Sequence, residues 1–465
     1  MSFSSPLKKE PKSDGVNGVR VELGHDGSGF EPGIERARPL INEENTYTSQ
    51  ESAINNINNL ISSLETAVQA LQDPLGGLAA TTASSSNSNV LTASTTAGAA
   101  TGTHTVVVNS LATTSSYDTA ALASGSTAFA TGQFALQVGT GSPVTITVDS
   151  SNDTLDGLAS YINDQGYGVT ASVITDASGS RLALVSDTSG TPGDLTISGN
   201  TTGLTFSKTA TGSNSSITVD GVPLNTTSNT VTGVIPDVTL ELTGTSANPV
   251  TLTVGSDTQQ ASAAINNFVS AYNSVIQAVN AQFTYTQGAS SQPPLLSDVA
   301  LGQVQQSLYS DVNYAISGNN GITSLASLGI TMQSDGTLQV NSSELNAALS
   351  SDPSSVQNFF QQSSGTNGFA INFGNDLMNL TDPSTGPLYI DLQGIQQNEQ
   401  FIKSDISDFQ TRLAQQQQLW LKEYAQVNST LQTLPLMLQQ IEAQLGNLGG
   451  SSTSTSTTST TSTTS

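Results

Sequence analysis

The chain of 465 residues contains no cysteine and only two histidines, His25 and His104. Without a thiol there is no disulfide, no thiolate nucleophile and no cysteine-based zinc site. Two isolated histidines leave little material for a Ser-His-Asp arrangement or a histidine zinc site. Basic residues are also scarce: 11 Lys and Arg stand against 36 Asp and Glu, a formal net charge of −25. Six of the 11 (Lys8, Lys9, Lys12, Arg20, Arg36 and Arg38) fall in the first 38 positions, which leaves five for the rest. No basic patch able to neutralise phosphates forms on the main body, so nucleic acid is not an expected partner. No apolar run approaches ~18 residues, so no membrane insertion is expected. The first residues lack the apolar centre of a cleaved signal peptide. Export would then take another route.

What is present is polar but weakly charged. Charged residues make up 10% and hydrophobic residues 35% of the chain, against a usual charged fraction of about 25%. Ser, Thr, Asn, Gln, Ala and Gly fill the difference, which suits a hydrogen-bonded, β-rich surface. The length is that of about three domains.

Two helical stripes stand out. Ile54, Ile57, Ile61, Leu64, Val68 and Leu71 step by three and four, as do Ile265, Val269, Tyr272, Ile276, Val279 and Phe283. Such heptads put one apolar face on a helix that needs a partner. A third and longer helix is expected over 392–448. Ile402, Ile406, Phe409 and Leu413 hold its heptad, Trp420 and Tyr424 shift the phase, and Val427 through Leu448 resume it. Pro435 should kink or divide that helix. Between the first two stripes the period turns to alternation, with strands such as Gln133 to Val138 and Val238 to Leu242. One short helix, Thr154 to Asn163, interrupts them. Ser334-Asp335-Gly336 reads as a tight hairpin turn in which both central residues need positive φ.

The expected fold class is α+β: a discontinuous, coiled-coil-like helical leg with an inserted β-rich head of about two subdomains and disordered termini. The expected boundaries are an aperiodic segment at 1–47, a leg helix at 48–80 and a Ser/Thr/Ala linker at 81–102. The head spans 103–256, with about 130–208 inserted in the remainder. A leg helix with a hairpin and short helices covers 257–391, C-terminal leg helices 392–448 and a Ser/Thr tail 449–465. Packing and assembly are expected to rest on Ile57, Ile61, Leu64, Val68, Ile265, Val269, Tyr272, Ile276, Val279, Phe409, Leu413, Trp420, Tyr424 and Val427, with Trp420 and Tyr424 the candidate intermolecular anchor. Paired carboxylates such as Asp237 and Glu241 are the residue types that glycoside hydrolysis uses. They read as the solvated face of a strand with no second motif beside them, and no catalytic, cofactor or metal residue is expected.

The order and spacing of several short motifs resemble bacterial flagellar filament capping proteins. The segment Ser324-Leu325-Ala326-Ser327-Leu328-Gly329-Ile330-Thr331, then Ser334-Asp335-Gly336-Thr337-Leu338, Ser343-Glu344-Leu345 and Asp352-Pro353, is similar to their C-terminal half. Phe268-Val269 with Tyr272-Asn273, Ile217 to Gly221, Thr154 to Ala159 and Val106-Val107-Val108 fit the same family. The resemblance spans about residues 48–448 and starts abruptly near Thr48. A shifted reading frame, a misassigned start or real divergence would account for residues 1–47. The resemblance implies export by the flagellar type III route, assisted by a flagellar export chaperone. It also implies assembly with itself at the filament tip as a homo-oligomeric ring of about five or six copies, with flagellin as the partner whose insertion it promotes. A hook–filament junction protein, a flagellin-like filament component or a tip adhesin binding host or surface glycans are the alternatives.

Overall fold

The computed structural model describes residues 31–363 and 366–449. The expected irregular segment lies outside the described residues over 1–30, and the Ser/Thr tail over 450–465. The described chain forms two compact units. One takes in Ile57–Ala281 and Leu301–Asp382; the other takes in the described residues up to Asn56, Gln282–Ala300 and those from Pro383 on.

Helix α1 (Glu31–Gln72) contributes its second half to the larger unit. There Ile57, Ile61, Leu64, Val68 and Leu71 are each at most 1% exposed, because the three-and-four step brings them onto one face. Three strands follow: β1 (Thr81–Ser85), β2 (Leu91–Thr95) and β3 (Gly102–Ser110). Residues 81–102 are therefore not a linker. β1 pairs antiparallel with β15 (Ser246–Ser256), and β2 pairs with β14 (Val238–Leu242). Their small side chains alternate between half-buried and exposed, so main-chain hydrogen bonds hold them where apolar volume is lacking.

The chain then leaves this layer through β4 (Thr114–Thr119), β5 (Gly132–Val138), β6 (Val144–Val148), α2 (Leu155–Gln165), β7 (Val169–Asp176), β8 (Gly179–Ser189), β9 (Leu195–Ser198) and β10 (Phe206–Ala210). Sheets β10-β4-β8-β7 and β6-β5-β9 enclose, with α2, a core of Phe134, Leu136, Ile146, Leu158, Leu182 and Leu184. Thr154 caps α2 by accepting from the Gly157 N–H at 3.1 Å, which satisfies one of the free amides of a helix start.

The chain returns as β11 (Ser215–Val219), β12 (Val222–Thr226), β13 (Thr230–Ile235), β14 and β15. The orders β1-β15-β3-β11-β12 and β13-β14-β2 share a second core around Leu91, Val106, Val108, Ile217, Leu240 and Leu252. The β11–β12 turn has Asp220 at φ 49° and Gly221 at φ 82°, the two-residue geometry that matches strand twist.

Helix α3 (Thr258–Phe283) opens at Asp257, whose Oδ1 accepts from the N–H groups of Gln259 (3.0 Å) and Gln260 (2.9 Å). Ile265, Tyr272, Ile276 and Val279 are fully buried. Helix α4 (Val299–Asp311), the hairpin β16 (Ile330–Met332) and β17 (Leu338–Val340), α5 (Ser342–Ser351), α6 (Pro353–Phe360) and α7 (Phe369–Leu380) follow. The hairpin turn differs from expectation. Only Gly336 takes positive φ, at 83°, and five residues separate the strands. The Gly336 N–H donates to Gln333 O and the Gln333 N–H to Thr337 O, which closes a longer loop. Asp352 caps α6 at the Ser355 N–H (3.0 Å), ahead of Pro353.

α7 is clamped onto α1. Gln72 Nε2 donates to Ala370 O at 2.8 Å, and Thr381 Oγ1 donates to Glu65 Oε1 at 2.6 Å. At Gly374 a Cβ would meet Gln72 Nε2, so a larger residue there would displace the end of that side chain from Ala370. Phe369 and Phe373 of α7 present their rings edge-on to Phe268 of α3, with centroids 5.5 and 5.4 Å away. Phe359 of α6 stacks on Phe369 at 5.5 Å.

The other unit contains the first half of α1 and helix α8 (Pro387–Gly449). Two expectations are corrected here. The first helix starts at Glu31, so residues 31–47 are helical and not aperiodic. Of the kink or division expected at Pro435, the division does not occur, since α8 runs through it as one helix. The Leu431 carbonyl that loses its amide partner there lies on a fully exposed stretch, where water can satisfy it.

Candidate assembly surface

Nine of the fourteen candidate residues serve the interior of the larger unit. Ile57, Ile61, Leu64 and Val68 of α1 are buried, as are Ile265, Val269, Tyr272, Ile276 and Val279 of α3. On the other side of these helices a groove of about 480 Å³ runs between α1 and α3, lined by Ala67, Ala70, Ala263, Ala264 and Ala271 with a few polar side chains.

The remaining five belong to α8. Phe409 and Leu413 are half-buried. Trp420, Tyr424 and Val427 are exposed by 66%, 74% and 56%. From Ala414 to Gly446 every residue of α8 is exposed. The expected phase shift at Trp420 does not occur. Trp420, Tyr424, Val427, Leu431, Leu434, Leu438, Ile441 and Leu445 step by four and three without a break, and the polar Gln416 occupies the position that links this stripe to Leu413. The stripe is about 38 Å long at 1.5 Å per residue. Exposed apolar surface on that scale marks an interaction site, and a strict 3.5-residue period fits a helical partner.

A polar seam positions α8 in its own unit. Glu399 is buried; its Oε1 accepts from Thr48 Oγ1 on α1 at 2.9 Å and pairs with Lys403 Nζ at 3.0 Å. The Lys403 bond, followed by the Thr48 bond, holds the Glu399 carboxyl below its ordinary range against the opposing effect of burial. Gln396 Nε2 donates to Glu51 Oε1 at 2.7 Å, and Gln50 Nε2 to Pro294 O at 3.0 Å. The apolar stripe periodicity did not reveal this seam, since its residues are Thr, Glu and Gln. Their three-and-four spacing on α1 (Glu44, Thr48, Glu51) was the available signal.

The two residue sets with catalytic overtones have structural partners. His104 Nδ1 lies 2.7 Å from Asp220 Oδ2, and Asp220 Oδ1 accepts from the Thr105 N–H at 2.8 Å. The His104 bond, then the Thr105 amide, lowers the Asp220 pKa. This ties the β11–β12 turn to β3. Asp237 does not share a strand with Glu241. It sits in the β13–β14 turn at φ 58°, and Glu241 accepts from Thr230 Oγ1 across the hairpin at 2.8 Å. No helix among the described residues is long and apolar enough to cross a membrane.

Three family models match the chain. One described as flagellar hook-associated protein 2 N-terminus matches residues 33–115, which carries the family likeness further back than Thr48. One described as flagellar hook-associated protein 2 C-terminus matches 212–435. A flagellin hook IN motif matches 133–188, within the β4–β10 layer. The B-type flagellar hook-associated protein 2 of Pseudomonas aeruginosa is 33% identical over 382 residues, 75% of this chain and 80% of that protein. The flagellar hook-associated protein 2 of Escherichia coli K12 is 27% identical over 438 residues, 88% and 92% of the two chains. The crystal structure of the D1-D2-D3 domains of the flagellar cap protein FliD from Escherichia coli superposes with a TM-score of 0.56 at 28% identity. It covers 74% of this chain and 99% of that one.

Proposed function

This chain belongs to the flagellar hook-associated protein 2 family, and we propose that it caps the distal end of the flagellar filament and promotes folding and insertion of exported flagellin. The role is structural, with no covalent step. The observation that carries the reading is the bare heptad stripe of α8 in a chain whose other two stripes are buried. Covering eight apolar side chains at about 1.5–3 kcal/mol each gives more than 10 kcal/mol, against an association cost of about 4–15 kcal/mol. The stripe is thus of the right size to hold an oligomer together. Its aromatic end, Trp420 and Tyr424, has the residue types that dominate interface energies. The polar, weakly charged strands of the larger unit suit contact with flagellin at the tip. The deficit of basic residues fits a chain that meets protein partners outside the cell, reached by type III export with a dedicated chaperone.

The test is complementation. In a normally motile strain whose own capping protein has been deleted, the full chain is expected to restore filaments, while a Trp420→Asp/Tyr424→Asp variant is secreted but leaves flagellin monomer in the medium. Filament growth by that variant equal to wild type would remove α8 from the mechanism.

A further inference from the structure

The pair Ile162-Asn163 lies in the span that matches the flagellin hook IN motif, and the assembly reading makes no use of it. Ile162 is fully buried in the core that α2 shares with the sheets β10-β4-β8-β7 and β6-β5-β9. That anchor fixes the rotation of α2 and turns the next side chain, Asn163, to the rim. The chain then reverses through Gly166 (φ 63°) and Gly168 (φ 73°) into β7, which brings Ala171 beside Asn163. Asn163 Nδ2 donates to Ala171 O at 2.8 Å, and Asn163 Oδ1 accepts from the Ala171 N–H at 2.7 Å. A side-chain amide has one donor end and one acceptor end. One residue thus meets both main-chain groups of Ala171, as a neighbouring strand would.

β7 is the free end of the order β10-β4-β8-β7. Alternation along an antiparallel ladder turns Thr170 and Ser172 toward β8 and leaves Ala171 and Val173 facing the open side. An open edge is a template for another strand, and the composition of β7 favours pairing. Five of its eight residues, Val169, Thr170, Val173, Ile174 and Thr175, are β-branched, Asp176 is its one charge, and it has neither proline nor lysine. Ile174 is 59% exposed. Such a segment is prone to add to its own kind. Other edges carry familiar protection. β12 contains Pro223, and β13 has Gly233 at φ 75° within a shift of register. Lys208 of β10 donates to the Leu195 carbonyl of β9 at 3.1 Å. β7 has Asn163.

We propose that the Asn163 side chain stands in for a strand neighbour and keeps β7 closed to the β7 of a second copy. Two such strands would fit antiparallel about a two-fold axis, each edge facing its equal. With the amide clip in the middle of that edge, copies gathered through another surface do not fuse sheet to sheet. The clip is independent of the α8 stripe, and its test does not require the chain to cap a filament.

The test is residue-level hydrogen exchange and sedimentation velocity of the full chain, each over a wide range of concentration. Asn163→Leu keeps the volume, removes both bonds and favours the helix, so α2 itself is not weakened. At low concentration its Ala171 amide should exchange roughly tenfold faster than in wild type, while Thr170 and Ser172 keep their rates. At high concentration it should form larger particles than wild type does, with the Ala171 and Val173 amides slowed again as two edges pair. Adding Ile174→Lys, at an exposed position, should return the variant to the wild-type sedimentation profile, as edge lysines do. If Asn163→Leu does not fold, Asn163→Ala carries the same test with the best helix former. An Ala171 rate unchanged in the variant would overturn the clip. Faster exchange without added association at any concentration would overturn the closing of the edge, and so would association that Ile174→Lys leaves intact.

Discussion

Replacing Phe268 by alanine removes the ring that joins α3 to α7 in the larger unit. Phe268 is fully buried on α3, edge-on to Phe369 and Phe373 of α7 and 6.3 Å from Tyr272 on its own helix. A buried Phe→Ala change costs about 3–5 kcal/mol through lost transfer and the cavity left behind. Each perpendicular aromatic pair adds about 0.5–1.5 kcal/mol beyond area. Two such pairs place Phe268→Ala near the upper end, about 5 kcal/mol. The cavity cannot close by moving α7, which is clamped to α1 by Gln72 and Thr381. At about 2–4 °C per kcal/mol for a large domain, the Tm should fall by roughly 10 °C or more. Phe268→Leu keeps most of the volume and should cost about 1.5 kcal/mol. Urea titration and calorimetry of the full chain measure both. A loss below about 1 kcal/mol for alanine, or equal losses for alanine and leucine, would refute the packing of this ring between α3 and α7.

Two further outcomes are expected. Val269→Asp places a carboxylate at a position 6% exposed on the inner face of α3 and should cost several kcal/mol, seen as a lowered urea midpoint; an unchanged midpoint would contradict the burial of that face. The Asp220–His104 tie should weaken in acid. The folded Asp220 pKa is depressed, so its contribution is present above the ordinary carboxylate range and is lost as pH falls through the folded value. Asp220→Asn should therefore lower the urea midpoint near neutrality and lose part of the wild-type acid sensitivity. An equal acid response in both proteins would sink the tie.

The parts that were legible in the sequence are those where one apolar face does the packing. The stripes of α1 from Ile54 and of α3 from Ile265 mark their own burial, and Asp257, Thr154 and Asp352 announce helix starts through their capping chemistry. Residues 31–47 of α1 were not legible, and the neighbouring contacts are polar: Thr48 and Glu51 bond to α8, and Gln50 donates to the Pro294 carbonyl. Hydrophobic periodicity cannot register such a face. β1 and β2 were hidden for a related reason: Thr, Ser and Ala supply little apolar volume, and ladder bonds to β15 and β14 decide their fate. The Phe359, Phe369 and Phe373 cluster comes from two short helices, each too brief to show a period. At the assembly surface the α8 heptad could be read apart from its phase at Trp420, where the polar Gln416 hides the continuity. That it stays bare while the other two are covered is a tertiary fact, set by which helices find partners inside the chain.

The central claim is that the α8 stripe is an intermolecular surface and contributes nothing to the fold of the single chain. Sedimentation velocity and native mass spectrometry of the purified full chain, beside a Val427→Asp/Leu431→Asp variant, test it most directly. Both positions are more than half exposed, so the variant should melt at the wild-type temperature. Wild type should form a discrete closed oligomer and the variant should stay monomeric. A variant that assembles as wild type does, or a wild-type chain that stays monomeric at high concentration, would contradict it.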